Sequence, residues 1–271
     1  MIIPENVTKT NPFYKICEKV DTIYNKSFFK STKKKIGRPK KYSDLQIIKC
    51  QLYKVMNSIF CLRELEWKLN QDRIAQIIIG LDEVPDHSTF CIRLKKLEQS
   101  KFYKLYKKFV QLIKPDTRIC SIGSTALRST KFDSQAKNRF SSRLNWYHGY
   151  KLHLVSSNDA IPLAFKFTTA NVYDSNCESL IDKLKDYDVF VLLGDAAYDS
   201  VKLFKLAKKL EINLLTEINL RKAKSEQTIK NKYRKENRDY LRSPIGSKLY
   251  KQRMSIERLF SLLKERYNLE N

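Results

Sequence analysis

Apolar residues recur every three to four positions through much of the first 100 residues. This spacing is typical of amphipathic helices with one face toward a core. It predicts helices over residues 45–59, 61–69 and 72–80, and a last helix that ends at residue 97. Ser43 or Asp44 can cap the first helix, and Asp86 or Ser88 can cap the last. The pattern therefore predicts an all-helical N-terminal region.

From residue 118 onward the pattern changes to the alternation that is typical of β-strands. Strands are predicted over residues 118–122, 149–156, 163–169, 189–193 and 212–216. Helices are predicted over residues 174–187, 200–210 and 250–267. The basic stretch 124–146 predicts an extended loop, and 219–248 predicts a basic insertion. Three strands followed by alternating helices and strands predict an α/β sheet covered by helices.

The charge of the chain narrows the class of partner. The 271 residues carry a net charge of +24, which favours nucleic acid or an anionic membrane as the partner. No apolar run has the length of a membrane-spanning helix, and the N-terminus lacks the pattern of a signal peptide. We therefore expect a cytoplasmic, nucleoid-associated protein that acts on nucleic acid and not at a membrane.

Two N-terminal features leave alternatives open. Residues 30–41 hold seven basic side chains and no acid, so this segment is either a solvated linker or a basic arm. As an arm, it would place Arg38 in a DNA minor groove. The short helices that follow form either a helix-turn-helix-like DNA-binding unit or a helical cap that packs on a catalytic domain.

Near the end of the chain, four side chains have spacings that return to one face of a helix. They read Tyr-x2-Arg-x3-Glu-x6-Lys and are Tyr250, Arg253, Glu257 and Lys264. Charge alone would indicate a surface helix with charge pairs. The complete spacing is more specific, and it resembles the C-terminal signature of DDE transposases of bacterial and archaeal insertion sequences.

A second segment carries the same resemblance. Residues 189–200 are similar to the family's strand that ends in a catalytic aspartate, here Asp195, followed by a Tyr-Asp-Ser turn. The resemblance implies an α/β fold, with an RNase H-like mixed sheet flanked by helices and preceded by a small all-α, helix-turn-helix-like domain. The implied division is an extension with a basic arm (1–36), a helical DNA-binding domain (37–115) and a catalytic domain truncated at its C-terminus (116–271).

The resemblance also implies a function. Such transposases bind terminal inverted repeats of double-stranded DNA as homodimers and catalyse DNA cleavage and strand transfer, with Mg²⁺ or alternatively Mn²⁺. Asp195 and Glu257 would then be catalytic metal ligands, since two such ions activate the nucleophile and neutralise the phosphate. The expected DNA contacts are Tyr250, Arg253, Lys264, Arg38 and Arg128.

One position departs from the family pattern. The first acid of these enzymes lies in a sequence resembling Ile-Asp-Ser-Thr-Ala-Leu-Arg, whereas residues 122–128 read Ile-Gly-Ser-Thr-Ala-Leu-Arg. Asp116 lies about 20 Å from residue 123 along the strand, and Asp133 lies in the following loop. Neither can replace the acid that is missing at position 123. We therefore expect impaired catalysis. The alternative is a catalytically dead DNA-binding protein that occupies transposon ends.

Several polar and aromatic residues have predicted structural roles. Asp174 and Asp199 each precede a predicted helix, so they are predicted to be helix caps. His153 lacks a second ligand at metal spacing and is predicted to be structural. Trp146 either anchors the basic loop or stacks on an unpaired base.

Overall fold

The computed structural model describes residues 10–24, 40–97, 99–141, 143–221 and 224–269. Those residues form two compact units. The first comprises the described residues up to Leu112 together with Glu265–Leu269, and the second comprises Ile113–Lys264. None of the helices in the described part of the chain is both long and apolar enough to cross a membrane. The predicted arm around Arg38 lies outside the described residues.

The first unit is built from helices. They are α1 (Pro12–Ile23), α2 (Asp44–Met56), α3 (Leu62–Gln71), α4 (Arg73–Ile79), α5 (His87–Lys96) and α6 (Gln99–Ile113). Ser43 caps α2 in a capping box with Gln46, and Asp86 caps α5. The apolar faces of these helices pack around fully buried Leu65, Leu69 and related side chains. The predicted all-helical region is therefore confirmed over its described residues.

The second unit is built on a six-stranded sheet. Its strands are β1 (Ile119–Arg128), β2 (Lys137–Ser141), β3 (Asn145–Ser157), β4 (Pro162–Thr169), β5 (Val191–Gly194) and β6 (Asn213–Thr216). The order is β2-β3-β1-β5-β6, and β4 also pairs with β3. β3 runs antiparallel to β1, β5 runs parallel to β1, and β6 runs parallel to β5. This arrangement confirms the RNase H-like mixed sheet that the resemblance implied.

Helices cover this sheet. They are α7 (Glu178–Asp182), α8 (Val201–Lys209), α9 (Lys232–Arg242), α10 (Pro244–Tyr250) and α11 (Met254–Glu265). The apolar face of α11 buries Ile256, Leu259 and Phe260 against Leu154 of β3. The helix therefore lies on the face of the sheet to which Leu154 points.

Two segments differ from the prediction. The predicted loop 124–146 contains the end of β1 and all of β2, which forms a hairpin with β3. The sequence of β2, Lys-Asn-Arg-Phe-Ser, has few residues with strand propensity, and backbone pairing with β3 forms the strand instead. The predicted helix 174–187 is interrupted, because Cys177 has φ −105° and ψ 30° and separates a 3₁₀ turn (Asp174–Asn176) from α7.

The basic insertion 219–248 is folded where it is described. It contains α9 and most of α10. On α9, the amide of Asn237 pairs with the backbone of Thr216, the last residue of β6. The Thr216 N–H donates to Asn237 Oδ1 at 3.0 Å, and Asn237 Nδ2 donates to the Thr216 carbonyl at 2.9 Å. The insertion is thus joined to the end of an edge strand.

Candidate active site

The register of two parallel strands places Gly123 beside Asp195. Ser121 of β1 pairs with Leu193 of β5. Two residues further along each chain are Gly123 and Asp195, and Asp195 keeps an extended backbone (φ −79°, ψ 179°). Residues paired in this way project to the same face, and neighbouring strands lie about 4.8 Å apart. An acid at position 123 would therefore lie next to the carboxylate of Asp195.

Helix α11 covers the space into which a side chain at position 123 would project. A Cβ atom on Gly123 would lie 3.1 Å from Cε2 of Phe260 and 3.2 Å from Cδ1 of Ile256. These distances are shorter than ordinary van der Waals contact. The observed packing of α11 therefore depends on the absence of a side chain at position 123. Glu257 follows Ile256 on the same helix.

Asp195 closes β5 and starts the next turn. Its Oδ1 accepts the Ala197 N–H at 2.8 Å and caps the 3₁₀ turn Ala196–Tyr198. Burial raises the pKa of the Asp195 carboxyl, the Ala197 N–H opposes this effect, and the charge of Asp174 adds to it. The structure thus shows a capping role, and the predicted metal-binding role stays a prediction.

The sequence predicted one continuous helix for the four signature residues, and the structure divides it. α10 ends at Tyr250, a 3₁₀ turn spans Lys251–Arg253, and α11 begins at Met254. The backbone stays near helical φ and ψ through this turn, which explains why helical periodicity did not reveal the break. A 3₁₀ turn has fewer residues per turn, so it changes the phase of the side chains that follow.

Two signature residues nevertheless make contacts at the candidate site, one with β5 and one with Glu257. The Tyr250 hydroxyl donates to the carbonyl of Gly194 at 2.9 Å, and burial raises the pKa of Tyr250 to about 12. Arg253 Nη2 bonds Glu257 Oε1 at 2.7 Å, and its charge also lowers the pKa of Asp195. Arg253 therefore pairs with Glu257, and its charge opposes the rise in the pKa of Asp195. The side chain of Glu257 is 48% exposed.

The other predicted DNA contacts lie elsewhere. Lys264 is partly buried near the end of α11, seven residues after Glu257 and on the same helix face. Arg128 is exposed at the end of β1, about 17 Å along the strand from Gly123. Arg38 is outside the described residues. The structure thus brings Arg253 and Tyr250 to the acids, but not Arg128.

The opposite face of the sheet holds a group of buried charges that the sequence did not reveal. Asp174 accepts from Lys151 Nζ at 3.0 Å, and its Oδ1 lies 3.4 Å from Nδ1 of His153. Asp174 makes no capping hydrogen bond, so its predicted role as a helix cap is wrong. Alternation along β3 puts Lys151 and His153 on one face, and that alternation was the available signal.

These charges change one another's titration. Burial lowers the pKa of His153 to about 4, and Lys151 adds to this shift while Asp174 opposes it. Burial would raise the pKa of Asp174, but the charge of Lys151 and neighbouring groups outweigh this, so the pKa is lowered. At neutral pH this group therefore holds a neutral imidazole beside a paired lysine and carboxylate.

A second buried ion pair joins the insertion to the turn after Asp195. The fully buried carboxylate of Asp199 accepts from Arg234 Nε at 2.8 Å and from the Asn219 N–H at 2.8 Å. Asp199 is therefore bound by the insertion and is not the cap of α8, whose N-cap is Ser200. The prediction of a cap is wrong here too, because the partner is 35 residues away in sequence.

The acids present do not fit a pair of divalent ions. No cluster of three or more His, Cys, Asp or Glu side chains within the described ranges is placed to hold a metal. Asp195 and Glu257 offer two carboxylates, of which one caps a turn and the other pairs with Arg253. A third acid, at position 123, would be needed to share ions with Asp195.

Two protein-family models match this chain. The model for the transposase DDE domain matches residues 114–271, more than half of the chain, and the model for the transposase domain DUF772 matches residues 2–96. The chain belongs to the DDE transposases. Residues 114–271 of this transposase include the whole sheet, Asp195 and the signature.

Solved structures show only distant similarity to this transposase. The Mos1 transposase paired-end complex with left transposon end is 10% identical, with 95% of this chain and 88% of that chain covered and a TM-score of 0.26. The mariner Mos1 paired end complex with Mg is 11% identical (93% and 87% covered, TM-score 0.26). A simian T-cell lymphotropic virus intasome in complex with a PP2A regulatory subunit is 12% identical (76% and 65% covered, TM-score 0.28). No curated protein matches.

Proposed function

We propose that this transposase binds the terminal inverted repeats of an insertion sequence and that its DNA cleavage and strand transfer are impaired. Asp195 and Glu257 would be the remaining catalytic acids, with Mg²⁺, or alternatively Mn²⁺, supplying charge neutralisation at the phosphate when bound. Arg253 and Lys264 would contact DNA phosphates near these acids.

The observation that carries the proposal is the strand register. It puts position 123 beside Asp195, on the face that the signature helix α11 covers. On this proposal β1, β5 and α11 would contribute the positions of the family's three acids, and only β1 brings no carboxylate. Because a glycine supplies no ligand, the affinity for divalent ions and the cleavage rate should both be low.

A second candidate function is DNA binding without catalysis. Phe260 and Ile256 occupy the space next to Gly123 that a carboxylate would need, and this packing favours a chain that has adapted to the loss of the acid. Such a protein would occupy transposon ends and compete with active enzyme. Both candidates predict binding to the ends, and only the first predicts residual cleavage.

The wider proposals follow from charge and family. A net charge of +24 supports binding to double-stranded DNA. We propose that the helical region 37–115 contributes to end recognition, together with Arg38 and Arg128. We also propose that residues 116–271 form the catalytic domain, that two copies act on two ends, and that the protein works at the nucleoid.

The test is a cleavage assay in Mg²⁺ and in Mn²⁺ on duplex fragments from either side of the coding sequence. We expect Gly123→Asp to raise the rate of cleavage at the ends about 100-fold or more over the unchanged chain, since a metal ligand is restored. Gly123→Asn is the matched control, because it has nearly the same size without the charge and should give no gain. Asp195→Asn in the Gly123→Asp chain should abolish the gain.

Three outcomes have distinct meanings. Measurable cleavage at equal rates by Gly123→Asp and the unchanged chain would contradict the impairment. If the chain binds the ends in a gel-shift assay and no variant cleaves them, the result would favour the DNA-binding candidate. Absence of end binding at low salt, where phosphate contacts are strongest, would overturn both.

A further inference from the structure

The outer edge of β6 presents one backbone N–H and one carbonyl that lack a partner. The Asn213 N–H points to β5 and donates to the Phe190 carbonyl at 2.8 Å. Because backbone groups alternate along a strand, those of Leu214 and Thr216 point to the opposite, outer edge. Asn237 binds the groups of Thr216, whereas nothing in the described part of the chain binds those of Leu214. Leu214 is only 5% exposed, and shielded backbone groups need a partner.

A cavity runs along this edge of β6, between α8 and α9. Its volume is about 560 Å³, which is in the range of small-molecule sites. Residues 212–215 border it, and because their side chains alternate between the two faces of the sheet, the cavity must reach the edge of the strand. Phe204 of α8 and Tyr233 and Tyr240 of α9 add aromatic walls. The backbone groups of Leu214 therefore border a space that can hold a ligand.

Asn237 shows which chemical group pairs with this edge. Its carboxamide accepts from the N–H of Thr216 at 3.0 Å and donates to the carbonyl of the same residue at 2.9 Å. Leu214, two residues earlier on the same edge, presents the same two groups. A second carboxamide, carried by a ligand, would therefore pair with Leu214 as Asn237 pairs with Thr216.

The open part of the edge is too short for a strand of another chain. On one side of Leu214, Asn237 occupies Thr216, and on the other side the Ile212 N–H donates to the Ala207 carbonyl at 2.9 Å. A strand adds through a run of alternating pairs, and among the described residues of this edge a single residue has both groups open. The edge therefore favours a small molecule over a peptide strand.

The charges at the cavity do not favour an anion. Lys208, Glu211 and Glu236 line it, so it is bordered by one positive and two negative side chains. Lys208 lies over the ring of Tyr233, with Nζ 5.7 Å from the ring centroid. In a chain with a net charge of +24, this local balance disfavours phosphate groups and favours a neutral ligand.

We propose that this cavity binds a small, neutral molecule in which a carboxamide is attached to an aromatic ring. The carboxamide pairs with the N–H and carbonyl of Leu214, and the ring packs against Tyr233 and Phe204. The ligand contacts α8, β6 and α9 together, so it fastens the basic insertion to the edge of the sheet. The inference is independent of the proposed function, because no DNA group takes part in it.

Benzamide is the probe, and nuclear magnetic resonance of the full chain locates it. The chain contains three Asn-Leu steps, which end at Leu214, Leu220 and Leu269. Labelling the Asn carbonyls with ¹³C and the Leu nitrogens with ¹⁵N therefore selects three amide signals. We expect benzamide to shift the signal of Leu214 with a Kd of about 1 mM or tighter, and to leave the other two signals in place.

Matched probes and variants test each contact. Acetophenone has the ring and the carbonyl of benzamide but no N–H, so its Kd should be about 10-fold higher or more. Tyr233→Ala should weaken benzamide binding about 10-fold, whereas Tyr233→Phe keeps the ring and should bind as the unchanged chain does. Tyr173→Ala is the control and should leave binding unchanged, because Tyr173 also packs on a cation, Arg139, but does not line the cavity.

Four outcomes would overturn the inference. The first two are that benzamide shifts none of the three signals at about 10 mM, and that acetophenone binds as tightly as benzamide. The third is an equal loss of affinity for Tyr233→Ala and Tyr173→Ala, with matched thermal melting. The fourth is displacement of benzamide from Leu214 by a hexapeptide of alternating Thr and Val with a much lower Kd, which would assign the edge to strand addition.

Discussion

Gly123 and Ser124 are adjacent on β1, yet they face opposite sides of the sheet, and those sides have different chemistry. On the side of Gly123, apolar atoms of α11 approach the backbone closely. On the side of Ser124, the paired residue of β3 is His153, next to the buried charges of Lys151 and Asp174. The first side has no charged side chain at position 123, whereas the second side holds several charges.

The difference separates charges that the fold needs from charges that only the reaction needs. Asp174 and Lys151 neutralise each other, so removing either leaves a buried charge unpaired. An acid at position 123 would lie beside the carboxylate of Asp195, and the absence of an acid there avoids repulsion between the two. We therefore expect that the sheet does not need an acid at position 123 in order to fold.

Lys151→Met is expected to have the largest effect on this comparison. It leaves the buried carboxylate of Asp174 without its ammonium partner and removes a hydrogen bond to the Val172 carbonyl. We expect the free energy of unfolding to fall by about 3–5 kcal/mol. Urea denaturation at pH 7 measures the change.

Two controls accompany this variant. Lys151→Met with Asp174→Leu should recover part of the loss, because the apolar pair leaves no buried charge. Lys232→Met breaks an exposed pair with Glu236 and should change stability by no more than about 0.5 kcal/mol. A loss below about 1 kcal/mol for Lys151→Met would show that the fold does not need the charge pair of Lys151 and Asp174.

The pH dependence of stability tests the same face with a smaller effect. The unfolded chain binds a proton at His153 near pH 6.5, whereas in the folded chain its pKa is about 4. Lowering the pH between these values therefore favours unfolding, by at most about 3 kcal/mol. His153→Gln should flatten this part of the curve in urea titrations from pH 7 to pH 4. Parallel curves for the unchanged chain and His153→Gln would contradict the assignment.

The smallest expected change in stability is on the side of Gly123. Gly123→Asp must displace Phe260 or Ile256, so we expect a loss of about 1–3 kcal/mol from overpacking. Adding Phe260→Leu makes room and should restore part of the stability, seen as a higher melting temperature, while it preserves or raises the gain in cleavage. If Phe260→Leu lowered the melting temperature of Gly123→Asp further, the close contact would not be the source of the strain.

Local signals in the sequence were sufficient for five of the six strands and for the position of Asp195 at the end of β5. The apolar run before Asp195 predicted β5, and the capping residues Ser43 and Asp86 set the starts of two helices. The resemblance in two short segments then implied the order of the sheet. Each of these signals lies within about fifteen residues of sequence.

Partners that are distant in sequence could not be predicted in this way. Asp174 and Asp199 both precede helical segments and look like caps, but their carboxylates bind Lys151 and Arg234, which are 23 and 35 residues away. The side chain of a buried acid goes to the strongest available donor, and a cationic donor outweighs a backbone N–H. Tyr250 is similar, since its hydroxyl reaches Gly194 across 56 residues.

The amide of Asn237 has a consequence for how the molecule behaves at high concentration. β6 is the last strand of its sheet, and an uncovered border strand is a template on which other molecules can add strands and aggregate. The Asn237 amide binds both the N–H and the carbonyl of Thr216. These groups are therefore not available to pair with a strand of another molecule. We therefore expect the insertion to hinder the addition of a strand from another molecule at this end of β6.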